Sequence, residues 1–267
     1  MAVILLTGAA GSIGTAVAPL LRAAGHRLRL LDLVEPPAAS ADDDVRLGSA
    51  VDDAAMQEAA RGVDLVVHLA SHASERSWRD IVDVNVESTR VALDAAHLGG
   101  AAILLASSVH AAGCVPSDEA GDGMPRARPD TYYGFSKAAA EALGDLYADR
   151  FGMRIVSARI MTFGDRPHTA RARSTWLSPA DFARLVEASL DVAPGNHVVW
   201  GVSANTRRTV DLAPGRAIGY EPQDDAEDHV DALATELGLD SPADIRPVGS
   251  DPLGGVFTTH PLGTPGP

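Results

Sequence analysis

The chain has 267 residues, of which 46% are hydrophobic, and this suits one large core with at most a small appendage. Its formal net charge of −14 at pH 7 argues against a nucleic-acid partner or an anionic membrane surface, because both attract basic patches. Cys114 is the only cysteine, which excludes an internal disulfide and a thiol-based zinc site. The leading apolar run, 2–6, is too short for a signal sequence or a membrane span, so we expect a cytoplasmic protein.

Apolar strands alternate with amphipathic helices up to about residue 160. In chain order the pattern predicts strand 3–7, helix 12–24, strand 27–32, a polar loop at 36–44, helix 50–61, strand 64–70, helix 78–97, strand 101–107, helix 131–151 and strand 154–160. Strands that are apolar throughout lie in parallel sheets covered on both faces. The pattern therefore predicts an α/β fold, a Rossmann-like doubly wound parallel sheet.

The pattern loosens after that point, where it predicts helix 179–192, strand 196–202 and helix 224–237. We interpret 161–262 as a small substrate-binding region that is interleaved with the sheet. The Gly- and Pro-rich end, 263–267, is predicted to be a disordered tail.

Three glycines, Gly8, Gly11 and Gly14, follow the first strand in the stretch TGAAGSIG. Residues without a Cβ permit a tight turn and let a pyrophosphate approach the helix N-terminus, whose free amides and dipole attract anions. Asp32 ends the second strand, where a carboxylate can accept hydrogen bonds from an adenosine ribose and would repel a 2′-phosphate. These residues predict that a domain at 1–160 binds NAD as its cofactor. The alternatives are that the glycines form only a structural turn and that Asp32 only caps the end of the strand.

The stretch YYGFSK contains Lys137, the only lysine of the chain, four residues after Tyr133. Side chains at this spacing share a helix face, so we expect the ammonium to lower the pKa of the phenol, against the effect of burial. Such a phenol can accept a proton. Ser107 and Ser108 end a predicted strand, at the sheet edge where parallel sheets bind ligands. The alternative is a lysine on the helix surface without a chemical role.

Motifs in order along the chain resemble the extended short-chain dehydrogenase/reductase family, also known as the NAD-dependent epimerase/dehydratase family. They are TGAAGSIG, Asp32, HLAS at 68–71, Asn85 in DVNVES, LASSVHAAG at 105–113 and YYGFSK. The later stretches STWLSPADFARLVEASL, VVWGVSAN and IGYEPQDDAE resemble its uronate dehydrogenases. The resemblance implies a Rossmann fold and NAD-dependent oxidation of glucuronate or galacturonate at C1 to the aldarolactone.

The resemblance also implies roles for single residues. Tyr133 would be the base, Lys137 its activator and Ser108 the group that orients the C1 hydroxyl, while Arg171 would bind the C6 carboxylate. The implied cofactor-binding residues are Gly8, Gly11, Ser12, Ile13, Gly14, Asp32, Leu33, Ser49, Ala50, Leu69, Ala70, Ser71, Asn85, Tyr133 and Lys137. The implied substrate-binding residues are Ala73, Ser74, Ser108, Val109, His110, Tyr133, Thr162 and Arg171.

Some positions depart from the family's pattern. Val109 stands where the family tends to have Asn, Ala73 stands where a Ser is expected, and Ser49-Ala50 replaces the Asp-Leu pair that usually reads adenine. Two lost hydrogen bonds to sugar hydroxyls would weaken binding by about 1 kcal/mol each or change the preferred epimer.

Several alternatives stay open. A nucleotide-sugar epimerase or dehydratase shares the tyrosine, the lysine and the cofactor, and a non-catalytic NAD-sensing module shares the fold. Arg166 and Arg173 compete with Arg171 for the substrate carboxylate. A metal site built from His68, His72 and His110 is less favoured than core or substrate-contact histidines, so no metal is expected. We expect a small-molecule substrate and a homo-oligomer.

Overall fold

The structure, a computed structural model, describes residues 1–121, 123–246 and 252–266. Its strands are β1 (Val3–Thr7), β2 (Arg27–Asp32), β3 (Asp44–Leu47), β4 (Leu65–His68), β5 (Ala102–Ser108), β6 (Arg154–Ile160), β7 (Thr162–Phe163), β8 (Trp176–Leu177) and β9 (Gly195–Gly201). Its helices are α1 (Ser12–Ala23), α2 (Asp53–Ala60), α3 (Trp78–Asp80), α4 (Glu87–Gly99), α5 (Tyr132–Phe151), α6 (Ala172–Thr175), α7 (Pro179–Ala188), α8 (Ala213–Ala217) and α9 (Val230–Glu236).

The main sheet has seven parallel strands in the order β3-β2-β1-β4-β5-β6-β9. The chain runs outward from β1 in one direction through β2 and β3, and in the other direction from β4 onward. Ligands of doubly wound sheets bind beyond the carboxyl ends of the strands at this switch point. The α/β, Rossmann-like fold predicted from the sequence is confirmed.

Helices cover both faces of the sheet. On one face Leu21 of α1 and Phe182 of α7 belong to one apolar cluster, and on the other Met56, Leu93 and Tyr147 of α2, α4 and α5 belong to a second. Because α7 and β9 follow residue 160, the later part of the chain contributes to the main core as well. The division into a cofactor domain and a substrate region stays a prediction.

Strand β3 was not predicted. The sequence DVRL alternates charged and apolar residues at the edge of the sheet, and none of its four side chains is fully buried. A continuous apolar run, the signal that identified the central strands, is therefore missing here. The strand is held by its ladder to β2 and by Arg29 Nε, which donates to Asp44 Oδ2 at 2.7 Å.

The predicted helix 78–97 contains an irregular section. A π-helical stretch, Ile81–Val86, separates α3 from α4. Asn85 lies in it, and its side chain bonds the backbone of His72 (Oδ1 from N at 2.7 Å, Nδ2 to O at 3.0 Å) and donates to Ser136 Oγ of α5 at 3.1 Å. The π-helical stretch thus joins the loop after β4 to the helix that carries Tyr133; such stretches are frequent at functional sites.

Residues 252–266, named here the C-terminal segment, pack back onto the chain. Its backbone amides donate from Leu253 to Val115 O, from Gly254 to Gly113 O, from Gly263 to Glu75 Oε1 and from Gly266 to Glu75 O. The disordered tail at 263–267 stays a prediction; in the structure the amides of Gly263 and Gly266 donate to Glu75, and Pro267 lies outside the described residues. In the described part of the chain, no helix has the length and apolar content needed to cross a bilayer.

Candidate active site

A cavity of about 490 Å³ lies over the carboxyl ends of β1, β2 and β4, at the switch point of the sheet. Predicted cofactor-binding residues that line it are Gly8, Gly11, Asp32, Leu33, Ser49, Ala50, Leu69, Ala70 and Ser71. Other predicted cofactor residues are not among those that line it: Ser12 and Ile13 begin α1, Gly14 is buried against Ala9, and Asn85 is buried under His72.

The glycine turn is required by the backbone. Gly8 has a φ of +68°, and a Cβ added there would lie 2.7 Å from Ala70 N. A Cβ on Gly14 would lie 2.7 Å from Ala9 Cα. Gly11 precedes α1 and has no side chain to cap the first-turn amides, so these can receive an anion at the positive end of the helix dipole.

Asp32 lines the cavity beside the glycine turn. Its Oδ2 accepts from Ala10 N at 2.9 Å and its Oδ1 from Leu33 N at 2.7 Å, which fixes the carboxylate against the glycine turn. Each oxygen has a second lone pair for a ribose hydroxyl. The uncapped helix end and this carboxylate fit a dinucleotide without a 2′-phosphate.

Tyr133 lies in the first turn of α5, where Thr131 Oγ1 caps the helix by accepting from Gly134 N at 3.0 Å. The phenol is buried, and burial raises the pKa of Tyr133 to about 12. A hydrogen bond with Ser108 lowers the pKa, and the negative charge of Asp130 raises it. The expected lowering by Lys137 is therefore wrong, since desolvation of the phenolate prevails.

Lys137 is buried beneath Tyr133, and its Nζ lies 5.4 Å from the centre of the phenol ring. Instead of facing the phenol oxygen, Nζ donates to Ala106 O at 2.8 Å and to Ser71 Oγ at 3.1 Å. Burial lowers the pKa of Lys137 to about 8. Because Ser71 lines the cavity, the ammonium stands between the phenol and the cofactor site.

His110 adjoins Tyr133, with ring centres 5.7 Å apart. Its Nδ1 lies 2.7 Å from Oδ2 of Asp130, a buried carboxylate. Phe257, from the C-terminal segment, packs on the His110 ring at 4.1 Å between centres. The sequence reasoning missed Asp130 and Phe257. The position of Asp130 directly before the Thr131 cap was a local signal, whereas Phe257 is distant in the sequence.

Three glycines enclose Asp130. A Cβ on Gly113 or Gly254 would lie 1.9 or 2.0 Å from Oδ2, and a Cβ on Gly134 would lie 2.7 Å from Oδ1. The carboxylate therefore occupies space that any other residue type at these positions would fill. This arrangement fixes Asp130 against His110.

Arg171 lies beside this group. Its Nη2 donates to Leu253 O at 2.7 Å; burial lowers the pKa of Arg171, and the charge of Asp130 opposes this effect. Its competitors are paired with carboxylates elsewhere: Arg166 with Glu236 at 2.7 Å, and Arg173 with Glu227 through two bonds of 2.9 and 2.8 Å. The assignment of a substrate carboxylate to Arg171 stays a prediction.

The other predicted substrate residues differ in their surroundings. Thr162 Oγ1 lies 2.8 Å from Thr175 Oγ1. Val109 is buried in an apolar cluster with Trp200, which argues against a substrate contact through this side chain. Ser74, next to Ala73, has a buried Oγ without a hydrogen-bond partner among the described residues.

The histidines considered for a metal are separated by their partners. His68 is buried between Thr7 Oγ1 (2.9 Å) and Ser88 Oγ (3.2 Å), and burial lowers the pKa of His68 to about 3. His72 lines the cofactor cavity, and His110 pairs with Asp130. Within the described ranges, no cluster of three or more His, Cys, Asp or Glu side chains could hold a metal ion.

The sheet, the glycine turn and the Tyr133–Lys137 pair define a Rossmann-type protein that binds a dinucleotide beside a candidate proton acceptor. The chain belongs to the NAD dependent epimerase/dehydratase family, whose model matches residues 4–213. The prediction of NAD as the cofactor is confirmed.

Known proteins are similar over most of the chain. Uronate dehydrogenase of Pseudomonas putida is 32% identical over 259 residues, which cover 95% of this chain and 97% of the relative. A crystal structure of uronate dehydrogenase from Agrobacterium tumefaciens, a tyrosine-to-alanine mutant complexed with NAD, is 32% identical with a TM-score of 0.86 and covers 98% of each chain. L-arabinose 1-dehydrogenase (NAD(P)(+)) of Haloferax volcanii is 34% identical over 257 residues, covering 85% of this chain and 98% of the relative.

Proposed function

We propose that the chain oxidises a uronic acid, glucuronate or galacturonate, at C1 to the aldarolactone, with NAD as the oxidant. The observation that carries the proposal is the buried Tyr133 between Ser108 and Lys137, with a partly buried arginine, Arg171, close to the same group. The similarity to uronate dehydrogenases over nearly the whole chain supports the choice of substrate.

In the proposed reaction the C1 hydroxyl of the closed sugar binds between the hydroxyls of Ser108 and Tyr133. Tyr133, as the phenolate, takes the hydroxyl proton while the hydrogen on C1 leaves with its electron pair and the C1–O bond becomes a carbonyl. NAD, when bound, supplies the acceptor for that hydride. The closed sugar thereby loses two electrons and two hydrogens and becomes the lactone.

The raised pKa of Tyr133 sets the pH dependence of this step. With a pKa of about 12, only about one phenol in 10⁵ is ionised at pH 7. The fraction rises tenfold with each pH unit, so oxidation should become faster as the pH rises. Lys137, with a pKa of about 8, keeps its charge below that pH, and its Nζ lies 5.4 Å from the centre of the phenol ring.

Arg171 completes the site on the side of the C-terminal segment. A guanidinium binds a planar carboxylate through two parallel hydrogen bonds, and partial burial strengthens them. We assign Arg171 to the C6 carboxylate of the uronate. His110, held by Asp130, is assigned to a sugar hydroxyl.

The test is to mix purified protein with NAD and a panel of sugars, and to follow the absorbance of NADH. The panel contains glucuronate, galacturonate, glucose, L-arabinose and a nucleotide-sugar. NADH formed with a uronate supports the proposal. Turnover of the nucleotide-sugar without net NADH supports an epimerase or dehydratase, and NAD binding without any turnover supports a binding module.

We further propose that the protein is cytoplasmic, which its acidic composition and single cysteine support. We also propose that it is a homo-oligomer. Light scattering on the purified protein measures the mass of the particle. A monomer would contradict the oligomer.

A further inference from the structure

Glu75 is a buried carboxylate that the reaction above does not use. Its side chain is fully buried, and both oxygens accept from backbone amides: Oε2 from Tyr133 N at 2.7 Å and Oε1 from Gly263 N at 2.8 Å. A buried carboxylate is costly unless hydrogen bonds replace its water. Here the amides and the N-terminal dipole of α5 supply that replacement, which accounts for the position of Glu75.

One end of this link is the residue assigned as the base. Tyr133 is the second residue of the 20-residue helix α5, and its amide is one of the first-turn donors that the helix itself leaves unpaired. Thr131 satisfies the donor of Gly134, and Glu75 satisfies the donor of Tyr133. Since the phenol is attached to the same residue, a displacement of the amide also displaces the point from which the phenol extends.

The other end of the link is the C-terminal segment. This segment touches the residues assigned to the substrate: Leu253 O accepts from Arg171 Nη2, and Phe257 packs on His110. Gly266 lies on Ser74, where an added Cβ would be 1.9 Å from Oγ, and its amide donates to Glu75 O at 3.1 Å.

We propose that Glu75 is a positioning residue that ties the C-terminal segment to the first turn of α5. Through this link, the C-terminal segment beside Arg171 and His110 keeps a fixed position relative to the phenol of Tyr133. The inference rests on the proposed function for its kinetic part only, because the link itself can be measured by amide exchange.

The first variant is Glu75→Gln. An amide side chain has one acceptor oxygen, so it must present its own NH₂ to one of the two backbone donors. We expect kcat with glucuronate to fall about 10- to 100-fold, since a displacement of about 1 Å costs rates of this order. The Kd for NAD should stay within about twofold, because Glu75 lies outside the residues that line the cofactor cavity.

Hydrogen exchange followed by NMR reports on the link directly. In Glu75→Gln at least one of the amides of Tyr133 and Gly263 should exchange faster, while the amide of Gly134, held by Thr131, should not change. The matched control is Thr131→Ala, at the same helix end. It should speed exchange at Gly134 and leave Gly263 as it is.

A second variant, Gly266→Ala, keeps Glu75 intact and serves if Glu75→Gln does not fold. Its methyl group should push the segment away from Ser74. If the link is real, exchange becomes faster at Gly263 and also at Tyr133, and KM for glucuronate rises.

Unchanged exchange at both Tyr133 and Gly263 in Glu75→Gln, or at Tyr133 in Gly266→Ala, would overturn the inference. So would wild-type kcat in Glu75→Gln, or a loss of NAD affinity that parallels the loss of kcat, which would indicate general damage. If the wild-type protein oxidises no uronate, the proposed function fails, and amide exchange still decides the role of Glu75.

Discussion

Replacement of Arg171 by alanine tests the choice of an acidic sugar. The guanidinium lies near Asp130 and holds Leu253 O at 2.7 Å. The variant Arg171→Ala removes the two charge-assisted hydrogen bonds assigned to the substrate carboxylate, and with them one bond to the C-terminal segment. The second effect falls on every substrate, so a comparison between two sugars separates the effects.

The size of the difference follows from the number of bonds. A hydrogen bond to a charged group contributes about 1.5–3 kcal/mol, and two bonds to the same carboxylate together contribute less than twice this amount. We take about 2–4 kcal/mol for the carboxylate alone, which corresponds to a loss of roughly 30- to 1000-fold in kcat/KM, at about 1.4 kcal/mol per factor of ten. A neutral aldose should lose less than about tenfold, through the loosened segment only.

The assay measures initial rates of NADH formation with glucuronate and with glucose, for the wild-type protein, Arg171→Ala and Arg166→Ala. Arg166 is the matched control, because its guanidinium is paired with Glu236 on the surface. Arg166→Ala should leave both sugars unaffected. Equal losses for glucuronate and glucose in Arg171→Ala would refute the assignment of the carboxylate to this residue.

Two further predictions concern buried charges. Asp130→Asn keeps an acceptor for His110 but removes the charge that raises the pKa of Tyr133, so the rise of kcat/KM with pH should move to lower pH; an unmoved profile would contradict this role. Glu141→Ala leaves Arg159 buried without its carboxylate, which it holds by two bonds of 2.8 Å, and should cost about 3–5 kcal/mol of unfolding free energy in urea titrations. A loss below about 1 kcal/mol would indicate that Arg159 is solvated.

Local patterns in the sequence predicted the central part of the fold. Strands β1, β4 and β5 are mainly apolar runs, and β1, β2 and β6 have the predicted bounds. Edge strand β3 was missed because an exposed strand needs no such run. The π-helical stretch before α4 was missed because one wider turn does not change the hydrophobic period of a long helix.

The same distinction holds for the candidate site. The glycine turn, Asp32 and the Tyr133–Lys137 pair are recognisable because their partners are close in the sequence. Glu75 was missed because its partners are 58 and 188 residues away, at Tyr133 and Gly263. The contacts of the C-terminal segment were also not predicted, since Gly and Pro are typical of loops whether or not a distant carboxylate binds their amides.

The direction of the pKa shift of Tyr133 shows a further limit. Helical spacing brought the ammonium of Lys137 to 5.4 Å from the phenol ring, as expected. It did not reveal that Nζ would bond Ala106 O and Ser71, or that the phenol would be buried. Burial is a property of the assembled fold, and here it outweighs the nearby charge.

The central claim is that the phenol of Tyr133 takes the proton from the sugar hydroxyl. Turnover of glucuronate by Tyr133→Phe, measured beside NAD affinity, tests it most directly, with Tyr132→Phe as the control, because Tyr132 packs against Trp78 at 5.2 Å. We expect kcat to fall by about 10²- to 10⁴-fold in Tyr133→Phe with NAD affinity unchanged, and Tyr132→Phe to retain activity. Wild-type turnover by Tyr133→Phe would contradict the account.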